Sequence, residues 1–359
     1  MSIDIIIKTK HSDTKFTLED ISSINEFAYL KQNTYLEKIN EYSSFLESVI
    51  NKYSHFVILG AGGSVFHINA IVKSLNLEDE KIDIIYNANE KHFQNILKKI
   101  NKDTFFILIT KGGRSEEVNI FAEEIFKKLD KSLNNCLIIS TEKGLKNINI
   151  KHPNCYKITH ENVSGRFSCF STPFMLPMLL FKKFDIKEFF KGAAESLVNP
   201  NIKSIHSFIS AYKNGASVSV LISHIENMTY FFFLWYEQIL MESCGKKKAG
   251  MDALFSNGIT DMHSKYQMFL EGRANKIFTV FSAKNQPHLV LLKDLIQKKK
   301  NISIGLIEKT EQPVRVFEMD YFNEYNLGKI MSQLCQEVIQ LAHFMKIDPF
   351  NQPAVEELK

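Results

Sequence analysis

Short, unbroken apolar runs alternate with longer amphipathic stretches along this chain. The first clear run is Phe56-Val57-Ile58-Leu59, which passes straight into Gly60-Ala61-Gly62-Gly63-Ser64 and then a helix expected over residues 65–75. A strand over 82–86, a helix over 90–100 and a second apolar strand over 105–109 follow. That strand ends in another polar, glycine-bearing loop, Thr110-Lys111-Gly112-Gly113-Arg114-Ser115, before a helix over 116–129 and a strand over 137–140. A strand that is apolar at every position has no face to give to water. Alternating with helices, such strands predict a parallel sheet covered on both faces.

The pattern then restarts. A strand is expected over 218–222, a helix over 227–241 with an aromatic-rich face (Tyr230, Phe231, Phe232, Phe233, Trp235), a strand over 277–282, a helix over 288–298 and a strand over 302–307. A last long helix, 326–345, carries Leu327, Ile330, Met331, Leu334, Val338 and Leu341 at helical spacing. The bridge at 185–215 holds the breakers Gly192, Pro200 and Gly215, and residues 1–50 read as irregular and helical. The expected fold class is α/β: two doubly wound parallel-sheet domains, each a three-layer α/β/α sandwich. The expected boundaries are 1–200 with a helical N-terminal extension, 201–345, and a C-terminal tail over 346–359.

Composition narrows the classes. A chain of 359 residues suits two or three domains, and its 45% hydrophobic and 23% charged residues are those of a globular protein. The net charge of +4 is small for this length, and a nucleic-acid groove needs more, clustered. Lys246-Lys247-Lys248 and Lys298-Lys299-Lys300 are the two basic runs, the second reading as a solvated helix end. Cys136, Cys155, Cys169, Cys244 and Cys335 are scattered, with no Cys-x-x-Cys pair, which argues against a disulfide framework or zinc site and for a reducing cytosol. The opening Met1-Ser2-Ile3-Asp4 lacks the basic-then-apolar pattern of a signal peptide, and the longest apolar run, around 167–184, is broken by Ser171, Pro173, Pro177 and two lysines. The expectation is a cytoplasmic protein with neither membrane nor nucleic acid as partner.

Six polar segments carry candidate chemistry. Gly60–Ser64 lies between a strand and a helix, where glycines let a ligand approach the backbone and the helix start offers N–H groups to an anion. It is not the dinucleotide fingerprint, whose third glycine would fall at Val65, nor a Walker loop. At the next strand end, Thr110 and Ser115 bring hydroxyls and Lys111 a charge. Two such loops at neighbouring ends of a parallel sheet meet at its usual ligand crevice, which points to a sugar phosphate. Arg166 stands beside Gly165 between two serines. Glu242 follows the aromatic-rich helix, as a candidate base or as part of a helix end closed by Gly245. His263, in Thr260-Asp261-Met262-His263-Ser264, would alone be more often structural than catalytic. Near the end, Pro349 and Pro353 bracket a turn holding Gln352, and Lys359 lies about two helical turns further on. An amide and an ammonium so presented could grip a polyol and its protons, although a frayed, solvated end is the ordinary alternative.

Taken together and in this order, these segments resemble the phosphoglucose isomerase (glucose-6-phosphate isomerase) family, of the double sugar-isomerase (SIS) domain fold. The resemblance runs from about residue 55 to 359. The family's Gly-Gly-Ser falls on Gly62-Gly63-Ser64, and its Ser-Lys-Thr-x-x-Thr-x-Glu loop on Thr110, Lys111, Gly112, Ser115 and Glu117, with Gly112 in place of a threonine. Its Gly-Gly-Arg-Tyr/Phe-Ser falls on Ser164 to Ser168, its Met-Glu-Ser-Asn-Gly-Lys on Met241 to Lys246 with Cys244 for asparagine, its histidine segment on Asp261 to Ser264, and its Asp-Gln-x-Gly-Val-Glu-x-x-Lys on Asn351 to Lys359.

The resemblance implies an isomerase of glucose 6-phosphate and fructose 6-phosphate, in glycolysis and gluconeogenesis, working through a cis-enediol(ate). It implies Glu242 as the base, Arg166 as the stabiliser of developing negative charge, and His263 and Lys359 as proton carriers in ring opening. Gln352 would hold the substrate, and Gly62, Gly63, Ser64, Thr110, Lys111 and Ser115 would bind it at and around the phosphate. It implies no metal or organic cofactor, and a homodimer whose histidine enters the neighbouring subunit's site. Two other readings stay open: an isomerase of this fold using mannose 6-phosphate as well or instead, and a sugar-phosphate-binding protein with impaired chemistry. The presence of Glu242, Arg166, His263 and Lys359 together argues for an enzyme.

Overall fold

The computed structural model describes residues 3–8, 15–22, 24–30, 34–130, 132–148, 154–285 and 291–358. Its strands are β1 (Ile3–Ile7), β2 (His55–Leu59), β3 (Ile82–Ile85), β4 (Thr104–Ile109), β5 (Cys136–Ser140), β6 (Cys155–Thr159), β7 (Val218–Ser223), β8 (Asp252–Asn257), β9 (Lys276–Asn285) and β10 (Val314–Tyr321). Its helices are α1 (Tyr35–Ile50), α2 (Phe66–Ser74), α3 (Glu90–Lys99), α4 (Glu116–Lys128), α5 (Glu142–Asn147), α6 (Thr172–Met178), α7 (Ile186–Val198), α8 (Ile202–Lys213), α9 (Tyr230–Cys244), α10 (Tyr266–Leu270), α11 (Lys293–Lys309) and α12 (Glu324–Phe344). The chain forms two compact units. The first comprises Ser23–Val72, Asn76–Lys187 and Gln352–Lys359, the second Met1–Ser22, Lys73–Leu75 and Glu188–Asn351.

The first unit holds a wholly parallel sheet in the order β3-β2-β4-β5-β6. Every residue of β4 is buried, because both faces are covered. On one face Val57, Leu59, Phe106, Leu108, Cys136 and Ile138 pack against Phe93 and Ile96 of α3 and Val118, Ala122 and Ile125 of α4. The alternate residues Ile58, Phe105, Ile107 and Leu137 are also buried. Winding reverses between β2 and β4, and in open α/β sheets the crevice at the carboxyl ends of such a pair is where ligands bind. Here those ends carry the two glycine-bearing loops.

The second unit holds the sheet β1-β10-β9-β7-β8. Its core sets Val220, Ile222, Phe278, Val280, Val314 and Val316 against Phe269 of α10 and Ile304 and Ile307 of α11. Four strands are parallel, but β1 pairs antiparallel with β10, Ile3 opposite Met319 and Ile5 opposite Phe317. The expected all-parallel sheet therefore has an antiparallel edge, built from residues read as irregular or helical. In β1, Ile3, Ile5 and Ile7 are half-buried while Asp4 and Ile6 are exposed, an alternation that suits an edge strand.

Residues 302–307, expected as a strand, lie within α11. Their isoleucines suggest β structure by propensity, but Ser303, Ile304 and Ile307 are buried while Ile302 and Leu306 are exposed, which is a helical period. The strand that closes the sheet there is β10, hidden in the sequence by Arg315 and Glu318. Arg315 is wholly buried. Its Nη1 lies 2.8 Å from Glu337 Oε2 of α12, and its Nε donates to Thr279 Oγ1 at 2.8 Å. The bridge of breakers is two helices, α7 and α8. Gly192 marks a crossing there: a Cβ on it would sit 1.9 Å from the Tyr325 carbonyl oxygen, and one on Gly328 would sit 2.0 Å from that of Phe189. Residues 188–200, placed by the sequence with the N-terminal domain, belong to the second unit, as do the described residues before Ser23. No helix among the described residues is long and apolar enough to cross a membrane.

Candidate active site

At the end of β2 the chain enters a 3-10 turn, Gly62–Ser64, with Gly62 at φ 51, a backbone setting that favours glycine. Gly63 is there for lack of room. A Cβ on it would sit 2.3 Å from the Gly165 carbonyl carbon and 2.4 Å from the Arg166 nitrogen. The turn thus lies backbone to backbone on a second 3-10 turn, Gly165–Phe170, and Ser168 Oγ donates to the Gly63 carbonyl at 3.1 Å. Two motifs about a hundred residues apart form one rigid contact, which sets Arg166 beside the first loop.

Arg166 is 2% exposed, its guanidinium 5.8 Å from the Phe167 ring centroid. Its Nη1 donates to Gln352 Oε1 at 3.0 Å, so the structure joins the arginine and the tail glutamine singled out in the sequence. The segment is braced at both ends. Glu26 accepts from the Ser164 N–H at 3.1 Å, and the Thr172 hydroxyl lies 3.0 Å from Tyr29 Oη and 2.9 Å from Tyr42 Oη.

The loop after β4 lies at the adjacent strand end. Thr110 is buried, and its Oγ1 accepts from the Gly113 N–H at 3.2 Å, leaving the hydroxyl proton to donate elsewhere. Ser115 is the N-cap residue of α4 and makes no side-chain cap bond. Lys111 is exposed. His160 follows β6 at the same edge. Burial, helped by the Lys111 charge, pushes its imidazole down to about 4, so it adds no cation there at neutral pH. Gly62, Gly63, Ser64, Thr110, Lys111, Ser115, Arg166 and Gln352 all belong to the first unit, the loop residues flanking its switch point.

The second unit holds Glu242 and His263. Helix α9 buries Phe232, Trp235, Tyr236, Ile239 and Leu240 and leaves Glu242 half-buried near its C-terminus. Gly245 caps the helix, as the helix-end reading of this segment expected. Lys246 Nζ donates to the Ser243 carbonyl at 2.9 Å, where a cation suits the helix dipole. Gln238 was not singled out from sequence. Its Nε2 donates to Glu242 Oε2 at 3.0 Å, and the i, i+4 spacing on a predicted helix is the signal that would have found it.

His263 is exposed on the 3-10 turn Thr260–His263 that follows β8. Asp261 pins this turn, accepting from the Asn257 N–H at 2.7 Å and from Lys265 Nζ at 2.7 Å. Burial pushes the Asp261 carboxyl up, but Lys265 and the Asn257 N–H outweigh it and hold it below the usual range. Since α9 leads from β7 into the parallel β8, Glu242 lies at the amino edge of this sheet and His263 at its carboxyl edge. The six-residue β8 between them is itself roughly 20 Å long. Lys359 lies outside the described residues. Among the described residues no group of three or more His, Cys, Asp or Glu is placed to hold a metal ion.

The family model for phosphoglucose isomerase matches residues 19–281. The chain belongs to the phosphoglucose isomerase family. The match includes every phosphoglucose isomerase motif from Gly62 to His263, and Gln352 and Lys359 fall beyond it. The glucose-6-phosphate isomerase of Methanocaldococcus jannaschii is 29% identical over 356 residues, covering 90% of this chain and 86% of that protein. That of Carboxydothermus hydrogenoformans is 26% identical, covering 90% and 81%. The crystal structure of a glucose-6-phosphate isomerase from Chlamydia trachomatis superposes with a TM-score of 0.74 at 17% identity, over 93% of this chain and 73% of that one, and shares its fold.

Proposed function

We propose that this phosphoglucose isomerase family member interconverts glucose 6-phosphate and fructose 6-phosphate by cofactor-free proton transfer, in the cytoplasm, as a step of glycolysis and gluconeogenesis. The observation that carries the reading is the first unit's carboxyl edge, where two glycine-bearing loops with hydroxyl and N–H donors flank the switch point and a buried arginine is hydrogen-bonded to the tail glutamine.

The chemistry follows from these groups. The two loops bind the phosphate through N–H groups, hydroxyls and the Lys111 charge. With the phosphate held, the sugar's first two carbons extend away from the sheet edge. Glu242 removes the C2 proton and returns it at C1, and Gln238 fixes the carboxylate's orientation. Arg166, buried and preorganised, stabilises the enediolate oxygen that gains charge. His263 and Lys359 move protons as the ring opens.

A homodimer is part of the proposal. Its support is the placement of Glu242 and His263 at opposite edges of one sheet. A site that needs both takes them from two copies, and the exposure of His263 suits that arrangement. Five free cysteines accord with a reducing compartment.

The test is a coupled assay with glucose 6-phosphate and mannose 6-phosphate, together with solvent deuterium incorporation at C2. The expected result is turnover of glucose 6-phosphate, with exchange lost in Glu242→Gln while phosphate-ester binding survives. Exchange unaffected by that change removes Glu242 from its role, and turnover of mannose 6-phosphate alone replaces the substrate.

A further inference from the structure

The loop after β4 has a front and a back. Its back is covered by α5 and the residue before it. Thr141 Oγ1 donates to the Lys111 carbonyl at 2.8 Å, and Ser140 Oγ approaches the same oxygen at 3.3 Å. Asn147 Nδ2 donates to the Gly112 carbonyl at 2.9 Å. The fit is close: a Cβ on Gly144 would sit 2.3 Å from the Lys111 oxygen, and one on Gly113 would sit 2.8 Å from Ile148 Cγ1. The front is open, since a Cβ on Gly112 would meet nothing within 4 Å.

A trans peptide points its C=O and its N–H in opposite directions. Holding the Lys111 carbonyl at the back therefore turns the Gly112 N–H to the front. Holding the Gly112 carbonyl fixes the next peptide, whose Gly113 N–H is taken by Thr110 Oγ1. That bond occupies one lone pair of Thr110 Oγ1 and leaves the hydroxyl proton for another acceptor. Thr141 also accepts from the Gly144 N–H at 3.1 Å, so one hydroxyl locks α5 to the loop.

We propose that Thr141 and Asn147 are positioning residues for the substrate's phosphate: they hold two successive carbonyls from behind, so that the Gly112 N–H and the Thr110 O–H present a fixed donor pair to the anion. Neither touches substrate. The inference rests on the proposed isomerase reading and names what makes its phosphate loop rigid.

The experiment uses the full chain with fructose 6-phosphate as substrate, inorganic phosphate as competing probe, and thermal unfolding as a control. Thr141→Val and Asn147→Ala each remove a donor, and Thr141→Ser keeps it. The expected result for the double variant is a KM and an inorganic-phosphate Ki each raised about tenfold, the scale of one hydrogen bond to a charged group. Its kcat should change less than twofold, and Thr141→Ser should recover the KM and Ki lost in the single Thr141→Val variant. Equal KM and Ki in double variant and parent overturn the proposal, as does a loss confined to kcat or to Tm. Failure of the isomerase reading shows separately, as absence of turnover in the unmodified protein. In that case the inorganic-phosphate dissociation constant, measured by calorimetry, reads the same tenfold change.

Discussion

The contact between Gly63 and the Arg166 turn makes a demanding prediction for Gly63→Ala. The new Cβ would sit 2.3 Å from the Gly165 carbonyl carbon and 2.4 Å from the Arg166 nitrogen. Carbon atoms rest at about 3.5 Å, so the two turns must part by about 1.2 Å. Both partners are backbone, and no rotamer relieves the clash. Overpacking of this kind costs about 1–3 kcal/mol of stability. The activity should suffer more, because Arg166 and its bond to Gln352 ride on the displaced turn. A misplacement of about 1 Å costs about 100-fold in rate, or about 2.7 kcal/mol of transition-state stabilisation. The assay is kcat/KM for glucose 6-phosphate in a coupled system, with circular dichroism and Tm to register folding. Gly305→Ala on α11 is the control, since a Cβ there meets nothing within 4 Å and helix propensity improves by about 1 kcal/mol. It should keep full activity and an equal or higher Tm. A Gly63→Ala protein with parental kcat/KM would refute the claim that this backbone contact positions the arginine.

Other perturbations test the fold and the site. Glu337→Ala leaves Arg315 buried without its carboxylate and should cost about 3–5 kcal/mol in urea unfolding; a loss under about 1 kcal/mol contradicts the pairing. Gly328→Ala should lower Tm far more than Gly305→Ala, because its Cβ meets the Phe189 carbonyl oxygen at 2.0 Å and forces α12 off α7. Burial pushes His67 down to about 3 and His160 and His224 to about 4. Below about pH 6.5 the unfolded chain therefore binds more protons than the folded one, and stability should fall as pH drops towards 4. For fully buried His67 the slope is about 1.4 kcal/mol per pH unit, so urea midpoints for His67→Leu should fall less steeply between pH 6 and 5 than those of the parent. Mixing and refolding Glu242→Gln with His263→Ala should restore about a quarter of parental activity, since half the dimers are hybrids with one intact site of two; no restoration places both residues in one copy's site.

The first unit was the easier half to read. Phe56 to Leu59 and Phe105 to Ile109 are apolar at nearly every position because both faces of their sheet are covered, and that is visible as an unbroken run. The loops at their ends could be placed at one edge from strand polarity alone. The strands that escaped notice lie at edges or carry charge. β1 and β8 are partly exposed, β6 is short and mixed, and β10 contains an arginine whose partner, Glu337, comes from α12. In each case the burial that makes the strand is supplied by distant residues. The isoleucines of α11 misled for the same reason, since the side that is buried depends on what packs against the helix.

By itself the sequence determined the α/β class, the two glycine-bearing loops at neighbouring strand ends, and the set of polar residues worth testing, because apolar period and loop composition are local properties. Tertiary structure decided which of those residues meet. Gly63 is glycine because Gly165 lies against it, and Arg166 reaches Gln352 across nearly two hundred positions. Glu242 and His263 fall at opposite edges of one sheet because a crossover helix returns the chain to the start of the next strand. Such relations depend on topology and close approach between segments far apart in the chain, and no local pattern of side chains encodes them.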